Sequence, residues 1–188
     1  MADSEETRRA LRRRVRAEER LLLVVAGPNG AGKSTFVETF LKPTGILIVN
    51  PDEVAKGLSL DTPEAIAYEA ARVADTWRRD LVARGVSFCL ETVFSHPHGA
   101  KLDLLRECQS QGYAVALIFI GLNSVDLSRG RVMERVEAGG HDVPDEKILT
   151  RCHGTVGIWR GHRRLGRPSR LADMVHSDVG ENYCRGIR

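Results

Sequence analysis

The chain has 188 residues and a mass of 20.8 kDa, with 42% hydrophobic residues, 28% charged residues and a formal net charge of +3. This length and composition predict one globular domain that is large enough to bury a core without disulfides or metals. No apolar run reaches the roughly 18 residues that a membrane helix needs, and the arginine-rich start lacks the apolar segment of a signal peptide. We therefore expect a cytoplasmic protein with no membrane partner.

The cysteines and histidines form no recognisable metal-binding pattern. The four cysteines are scattered without Cys-x-x-Cys spacing, at Cys89, Cys108, Cys152 and Cys184. The six histidines form no ligand array either. The pattern favours reduced thiols that pack in the core over disulfides or a zinc site.

Basic charge is concentrated in the first 20 residues, which we call the leader. Within residues 8–20, two glutamates, Glu18 and Glu19, are outnumbered by seven arginines: Arg8, Arg9, Arg12, Arg13, Arg14, Arg16 and Arg20. Three interpretations are open: an arm that binds nucleic acid, a solvated helix before the first strand, and a docking helix for a protein partner. No aromatic residue lies between the arginines to stack on a base, so we favour the solvated helix and do not expect nucleic acid as a partner.

The first predicted strand is the apolar run at residues 21–26, and a glycine-rich segment follows it. Residues 27–34 match the pattern G-x-x-x-x-G-K-[ST] at all four of its fixed positions. In this pattern, backbone N–H groups surround a di- or triphosphate, the lysine reaches the outer phosphates and the hydroxyl holds Mg²⁺. A predicted helix at residues 35–41 completes the strand, loop and helix order that the motif requires. The candidate phosphate-binding residues are Gly27, Pro28, Asn29, Gly30, Ala31, Gly32, Lys33, Ser34 and Thr35.

Strands and helices alternate along the rest of the chain. Apolar runs predict strands at residues 46–49, 86–90 and 113–120, and helices are predicted from Pro63 to a stop at Gly85 and at residues 99–111, 124–138 and 145–159. In the helix that begins at Pro63, one face carries Ile66, Ala70, Val73, Trp77 and Leu81. The alternation predicts an α/β fold, a P-loop NTPase-type parallel sheet flanked by helices. The leader, residues 1–20, is helical or disordered, and residues 21–188 form the P-loop domain.

Acidic residues follow two of the predicted strands, where parallel sheets bind their ligands. Asp52 follows the second strand, and we predict that it is the base that accepts the proton of an attacking hydroxyl. The alternative is that Asp52 caps a short helix at residues 53–58. Glu91 ends the third strand in the form of a Walker B element, so it contacts Mg²⁺ or holds substrate hydroxyls. Thr92 and Ser95 supply hydroxyl groups that suit a polar substrate.

A charged helix supplies candidate cations for a phosphate. Arg131 and Arg135 are four residues apart, so they share one helical face, directly before a pair of glycines at residues 139–140. A small helical lid at roughly residues 124–160 would bring both arginines over the outermost phosphate. The alternative is a surface helix in which they pair with Glu134 and Glu137. Arg151 is a further candidate cation.

Five segments together carry a family resemblance. They are Gly-Pro-Asn-Gly-Ala-Gly-Lys-Ser-Thr at 27–35, Asn50-Pro51-Asp52-Glu53, Glu91-Thr92-Val93-Phe94-Ser95, Gly112-Tyr113, and the stretch from Arg131 through Arg135 and Gly139-Gly140-His141 to Val143-Pro144. The combination resembles the zeta toxin family of small P-loop kinases. The resemblance extends from about residue 21 to residue 151.

The resemblance implies a kinase that uses ATP and Mg²⁺ to phosphorylate a hydroxyl of a nucleotide sugar, UDP-N-acetylglucosamine in the best-known members. It implies that Lys33 is the phosphate-loop lysine, Asp52 the base, Glu91 and Thr92 substrate-side groups, and the arginines at 131–151 a phosphate clamp. An antitoxin protein is the implied partner, and the leader is a hypothetical built-in one.

Two other functions remain open from the sequence. The first is a P-loop kinase that acts on another acceptor, such as a nucleic-acid end or a small metabolite. The second is a nucleotide-binding module with little catalysis. In the second case Asp52 has a structural role.

Overall fold

A computed structural model describes residues 2–93 and 100–121, together with residues 130, 132–134, 137 and 173–176. The helices are α1 (Ala2–Ala17), α2 (Lys33–Phe36), α3 (Pro51–Ala55), α4 (Pro63–Ala83) and α5 (Ala100–Ser110). The strands are β1 (Leu21–Ala26), β2 (Leu47–Val49), β3 (Phe88–Thr92), β4 (Ala114–Gly121) and β5 (Asp173–His176). A π-helical segment, Val37–Leu41, and a 3-10 turn, Lys42–Thr44, extend α2. Within these residues no helix is both long enough and apolar enough to span a bilayer.

The strands form one sheet in the order β2-β3-β1-β4-β5, and every pairing is parallel. The predicted α/β fold with a parallel sheet is therefore confirmed. Strand β5 lies in the C-terminal stretch, for which the sequence predicts no strand. The third predicted strand is shifted: it runs to Thr92, because Glu91 and Thr92 continue the pairing with Val25 and Ala26 of β1. Glu91 therefore lies within β3 and does not follow it.

The central strand β1 is buried on both faces, which explains its unbroken apolar sequence. Its residues alternate between two core clusters, one on each face of the sheet. One cluster contains Leu22 and Val24 with residues of α4 and α5, and the other contains Leu23 and Val25 with residues of α1 and α2. Two cysteines, Cys89 and Cys108, are free and buried in these clusters, as predicted.

Helix α4 begins and ends where the sequence predicts, and its buried face matches the predicted one at Ala70 and Leu81 but not at Trp77. Thr62 caps its first turn by accepting a hydrogen bond from the N–H of Ala65 at 3.2 Å. The buried residues are Ala70, Ala74, Leu81 and Val82. Trp77 is 40% exposed, so its predicted place on the buried face is wrong. The small Ala74 lies against the sheet in its place, and the large indole lies outside the contact.

Helix α1 is formed by the arginine-rich leader, and one of its faces belongs to the core. Leu11 is only 2% exposed and lies in the same cluster as Phe36 and Phe40. The guanidinium of Arg8 lies 5.7 Å from the centre of the Phe40 ring, within the range of a cation–π contact. The expectation of a merely solvated helix is therefore wrong for this face. The arginines at positions 9, 12, 13 and 16 are exposed, as that expectation requires.

We predict that Leu11→Ala lowers the free energy of unfolding by about 2–5 kcal/mol, because it leaves a cavity between α1 and the segment that follows the phosphate loop. Arg12→Ala is the matched control on the exposed face of the same helix, and its effect is expected to stay within about 0.5 kcal/mol. Urea denaturation of both variants measures the difference. Equal unfolding free energies for the two variants would show that α1 does not stabilise the core.

Candidate active site

The glycine-rich loop joins β1 to α2 at the carboxyl end of the central strand. Gly30 and Gly32 adopt left-handed backbone conformations, with φ of 71° and 88°, which glycine adopts without strain. The N–H of Ala31 donates to the carbonyl of Pro28 at 3.3 Å and closes a tight turn. The N–H of Phe36 donates to the carbonyl of Gly32 at 2.9 Å, so α2 starts directly from the loop. A glycine-rich loop that leads directly into a helix N-terminus is an arrangement that favours the binding of a phosphate.

Gly27 has a separate, steric role. A Cβ atom at this position would overlap the backbone carbonyl oxygen of Ile120, at the end of the neighbouring strand β4. The first glycine of the motif therefore allows the loop to leave β1 in direct contact with β4.

We predict that Gly27→Ala destabilises the protein by about 1–3 kcal/mol and weakens nucleotide binding, because a backbone oxygen cannot move away without shifting β4 or the loop. Gly57→Ala is a suitable control, since its new Cβ would meet only the carbonyl of Val54 at an ordinary 3.6 Å. Urea denaturation and a fluorescent nucleotide titration would measure both effects. Wild-type nucleotide affinity in Gly27→Ala would contradict the steric role.

Lys33 is the first residue of α2, and its side chain reaches back over the loop. Its Nζ donates a hydrogen bond to the carbonyl oxygen of Pro28 at 2.8 Å. Lys33 as a whole is half-buried. The one cationic side chain of the motif is therefore held against the loop.

Glu91 connects the loop to the neighbouring strands. The hydroxyl of Ser34 donates to its Oε1 at 2.8 Å, and the amide Nδ2 of Asn50 donates to its Oε2 at 3.1 Å. Burial raises the pKa of Glu91, and the nearby carboxylates Asp52 and Glu53 raise it further. The hydrogen bond from Ser34 and the charge of Lys33 act in the opposite direction. Glu91 thus brings together residues from β3, α2 and the end of β2.

Asp52 lies in the first turn of α3, and its side chain is exposed. The helix cap is Asn50, whose Oδ1 accepts a hydrogen bond from the N–H of Asp52 at 2.9 Å. The alternative in which Asp52 caps a helix at residues 53–58 is therefore wrong: the helix is Pro51–Ala55 and the residue before the proline caps it. The Asp52 carboxylate is close enough to Glu91 to raise the pKa of Glu91.

Thr92 lies at the end of β3, paired with Ala26 and only 7% exposed. Thr92 thus lies beside the residue from which the phosphate loop starts, and its contact with a substrate stays a prediction. Ser95, Arg131, Arg135 and Arg151 lie outside the described residues, as do residues 138–160 of the predicted lid. Of the helix predicted at 124–138, Val132 is described and buried.

Sequence reasoning missed Asn50 as a functional candidate. The signal was present: asparagine is among the preferred helix caps, and proline is favoured in the position that follows. Its second bond, to Glu91, joins residues 41 positions apart and has no local signature.

This fold and this site define a class. A parallel sheet carries, after its central strand, a phosphate-binding loop whose serine is hydrogen-bonded to an acid on the adjacent strand. That is the arrangement of P-loop nucleotide-binding proteins. Residues 5–156 match the zeta toxin family, and the chain belongs to that family.

One sequence relative and two solved structures are similar to this chain. An uncharacterised protein of Haemophilus influenzae is 25% identical over 125 residues, which are 66% of this chain and 87% of the relative. The structure of the PezAT chromosomal toxin–antitoxin system of Streptococcus pneumoniae is 20% identical, with a TM-score of 0.54 over 71% of this chain. The AvrRxo1-ORF1:ORF2 structure with ATP is 17% identical, with a TM-score of 0.69 over 95% of this chain.

In both structures the match covers only 63% of the other chain's length. At these identities the likeness concerns the fold, which is a kinase-like P-loop fold.

Proposed function

We propose that the protein is a phosphotransferase that moves the γ-phosphate of ATP to a hydroxyl group of a nucleotide sugar such as UDP-N-acetylglucosamine. One observation carries the proposal: the hydrogen-bond chain from Ser34 through Glu91 and Asn50 to the backbone of Asp52. This chain joins the phosphate loop to the backbone of Asp52, the residue whose exposed carboxylate is the proposed base. A site that only binds nucleotide has no need of that carboxylate, whereas transfer to a hydroxyl requires a base.

On the donor side, the loop amides and Lys33 would bind the ATP phosphates. Ser34 and Glu91 would hold Mg²⁺, because hydroxyl and carboxylate oxygens are the ligands that this ion prefers. Across the part of the chain that the structure describes, no three acidic, histidine or cysteine residues cluster as a complete metal cage. This fits Mg²⁺, which takes one or two protein ligands and completes its shell with phosphates and water. When bound, the ion neutralises charge that develops on the phosphates.

On the acceptor side, Asp52 would accept the proton of the substrate hydroxyl as its oxygen forms a bond to the γ-phosphorus. The bond between that phosphorus and the oxygen that bridges it to ADP breaks, and ADP leaves with the electron pair. Arg131 and Arg135 would stabilise the transferring phosphoryl group. Thr92, Ser95 and Arg151 are the proposed acceptor-side contacts, and of the two roles open to Glu91 the one proposed here is the Mg²⁺ role.

The choice of acceptor and partner rests on family membership. A nucleotide sugar is what the resemblance to zeta toxins implies, and ATP is the nucleotide in one structure of similar fold. An antitoxin protein is the proposed partner, since the PezAT structure is that of a toxin–antitoxin system. A kinase for another acceptor and a nucleotide-binding module are the competing functions.

The test is incubation of the protein with ATP, Mg²⁺ and separate UDP-sugars, nucleosides and oligonucleotides, followed by mass spectrometry. A UDP-sugar that gains the mass of one phosphate supports the proposal. Phosphorylation of an oligonucleotide or nucleoside alone would assign another acceptor. ATP binding without any phosphorylated product would favour the binding module.

A further inference from the structure

Asn50 stands between the two halves of the proposed site. Its side chain makes two hydrogen bonds of opposite sense: Oδ1 accepts from the N–H of Asp52 at 2.9 Å, and Nδ2 donates to Oε2 of Glu91 at 3.1 Å. It directly follows β2, whose last residue, Val49, pairs with Leu90 in β3. The sheet register therefore sets Asn50 beside Glu91.

The two bonds require a side chain that both accepts and donates at short reach. Aspartate would cap the helix but would present a second acceptor to the Glu91 carboxylate. Serine also caps well, but its hydroxyl lies one bond closer to the backbone than the asparagine Nδ2, so we expect a serine that occupies the cap to fall short of Oε2 of Glu91. Asparagine supplies the cap and the donor from one planar group.

Helix α3 has only five residues, so it has little stability of its own. Its direction depends on its cap and on its packing against α4. The cap residue is also the group that holds one oxygen of Glu91, while Ser34 holds the other. The orientation of the Glu91 carboxylate and the position of the Asp52 backbone are thus coupled through a single side chain.

We propose that Asn50 is a positioning residue that orients the Glu91 carboxylate toward the Mg²⁺ and nucleotide side of the site while it fixes the turn that carries Asp52. The proposal rests on the proposed function for the role of Asp52. The part of the proposal that concerns the orientation of Glu91 involves only nucleotide and Mg²⁺, so it can be tested without knowledge of the acceptor.

The test compares Asn50→Ser, which keeps a helix cap but replaces the amide donor to Glu91 by a shorter hydroxyl, with Thr62→Ala, which removes the cap of α4. ADP affinity is measured by equilibrium titration in Mg²⁺ and in EDTA, and the urea midpoint is measured without nucleotide. We expect Asn50→Ser to keep its urea midpoint and its affinity in EDTA. The gain in affinity that Mg²⁺ provides should fall by about tenfold or more, as for other groups that orient a metal ligand.

Thr62→Ala should show the reverse, with a lower urea midpoint and an unchanged Mg²⁺ effect. The proposal is overturned if Asn50→Ser retains the wild-type gain from Mg²⁺, or if its affinity falls equally in EDTA. It is also overturned if Mg²⁺ gives the wild-type protein no gain in ADP affinity. Failure to phosphorylate any UDP-sugar would contradict the proposed function. It would not change what the nucleotide titrations show about Asn50 and Glu91.

Discussion

Asp52→Asn is expected to reduce phosphoryl transfer by about 10²–10⁴-fold, the usual contribution of a general base, while ATP affinity stays within about twofold. The amide has nearly the shape of the carboxylate but does not accept the proton of the acceptor hydroxyl. The fold should not change, because Asp52 contributes only its backbone N–H to the cap of α3. Single-turnover transfer and nucleotide titration measure the two quantities separately.

Glu53→Gln is the matched control for Asp52→Asn. Glu53 is the next residue in the first turn of α3 and is also an exposed carboxylate, but it pairs with Lys56 at 2.6 Å. Surface ion pairs contribute little, so its loss should leave transfer close to the wild-type rate. Equal transfer rates for wild type and Asp52→Asn would remove Asp52 from the role of base. The absence of measurable transfer in both proteins, together with intact ATP binding, would instead favour the nucleotide-binding module.

The parts of the fold that the sequence predicted well are those with strong local signals. The continuous apolar run predicts β1, and the glycine spacing predicts the loop. Both signals depend only on a few adjacent residues, so they can be recognised without knowledge of the fold. The strand ends were less predictable, because pairing with a neighbour sets them. Glu91 continues β3 because Val25 of β1 is still available to pair with it, and nothing in its own sequence shows this.

Buried faces of helices were harder to predict where composition hides the pattern. Seven arginines dominate the leader, and of the two buried side chains described there, Thr7 and Leu11, one is apolar, which leaves a weak periodic signal. In α4 the sequence favours Trp77 as a core residue because it is large and apolar, whereas the sheet accepts the small Ala74. Tertiary packing decides such cases, and it depends on the shape of the partner surface.

Within the candidate site, residue types were predictable and their connections were not. The motif alone marks Lys33 and Ser34, and the ends of the apolar runs mark Asp52 and Glu91. The link through Asn50 arises from the parallel pairing of β2 with β3, which is a property of the folded sheet. The proposed arginine clamp lies outside the described residues and stays a prediction of the sequence.

Lys33→Ala is expected to impair both nucleotide binding and transfer. The ammonium group now bonds to the carbonyl of Pro28, and with ATP bound it would exchange that neutral acceptor for charged phosphate oxygens. Loss of a hydrogen bond to a charged group costs about 1.5–3 kcal/mol, which weakens ATP affinity by roughly 10–150-fold. Transfer should fall further, because the same charge stabilises the phosphates in the transition state.

Lys42→Ala is the control for Lys33→Ala, since Lys42 is an exposed lysine on the same helical stretch and pairs only with Glu38, at 2.8 Å. It should bind ATP as the wild type does. Unchanged ATP affinity in Lys33→Ala would contradict the phosphate role of the loop. The contrast with Asp52→Asn is the decisive one, because an enzyme loses transfer in both variants but loses nucleotide affinity only in Lys33→Ala. A binding module would lose affinity in Lys33→Ala and show no measurable change in Asp52→Asn.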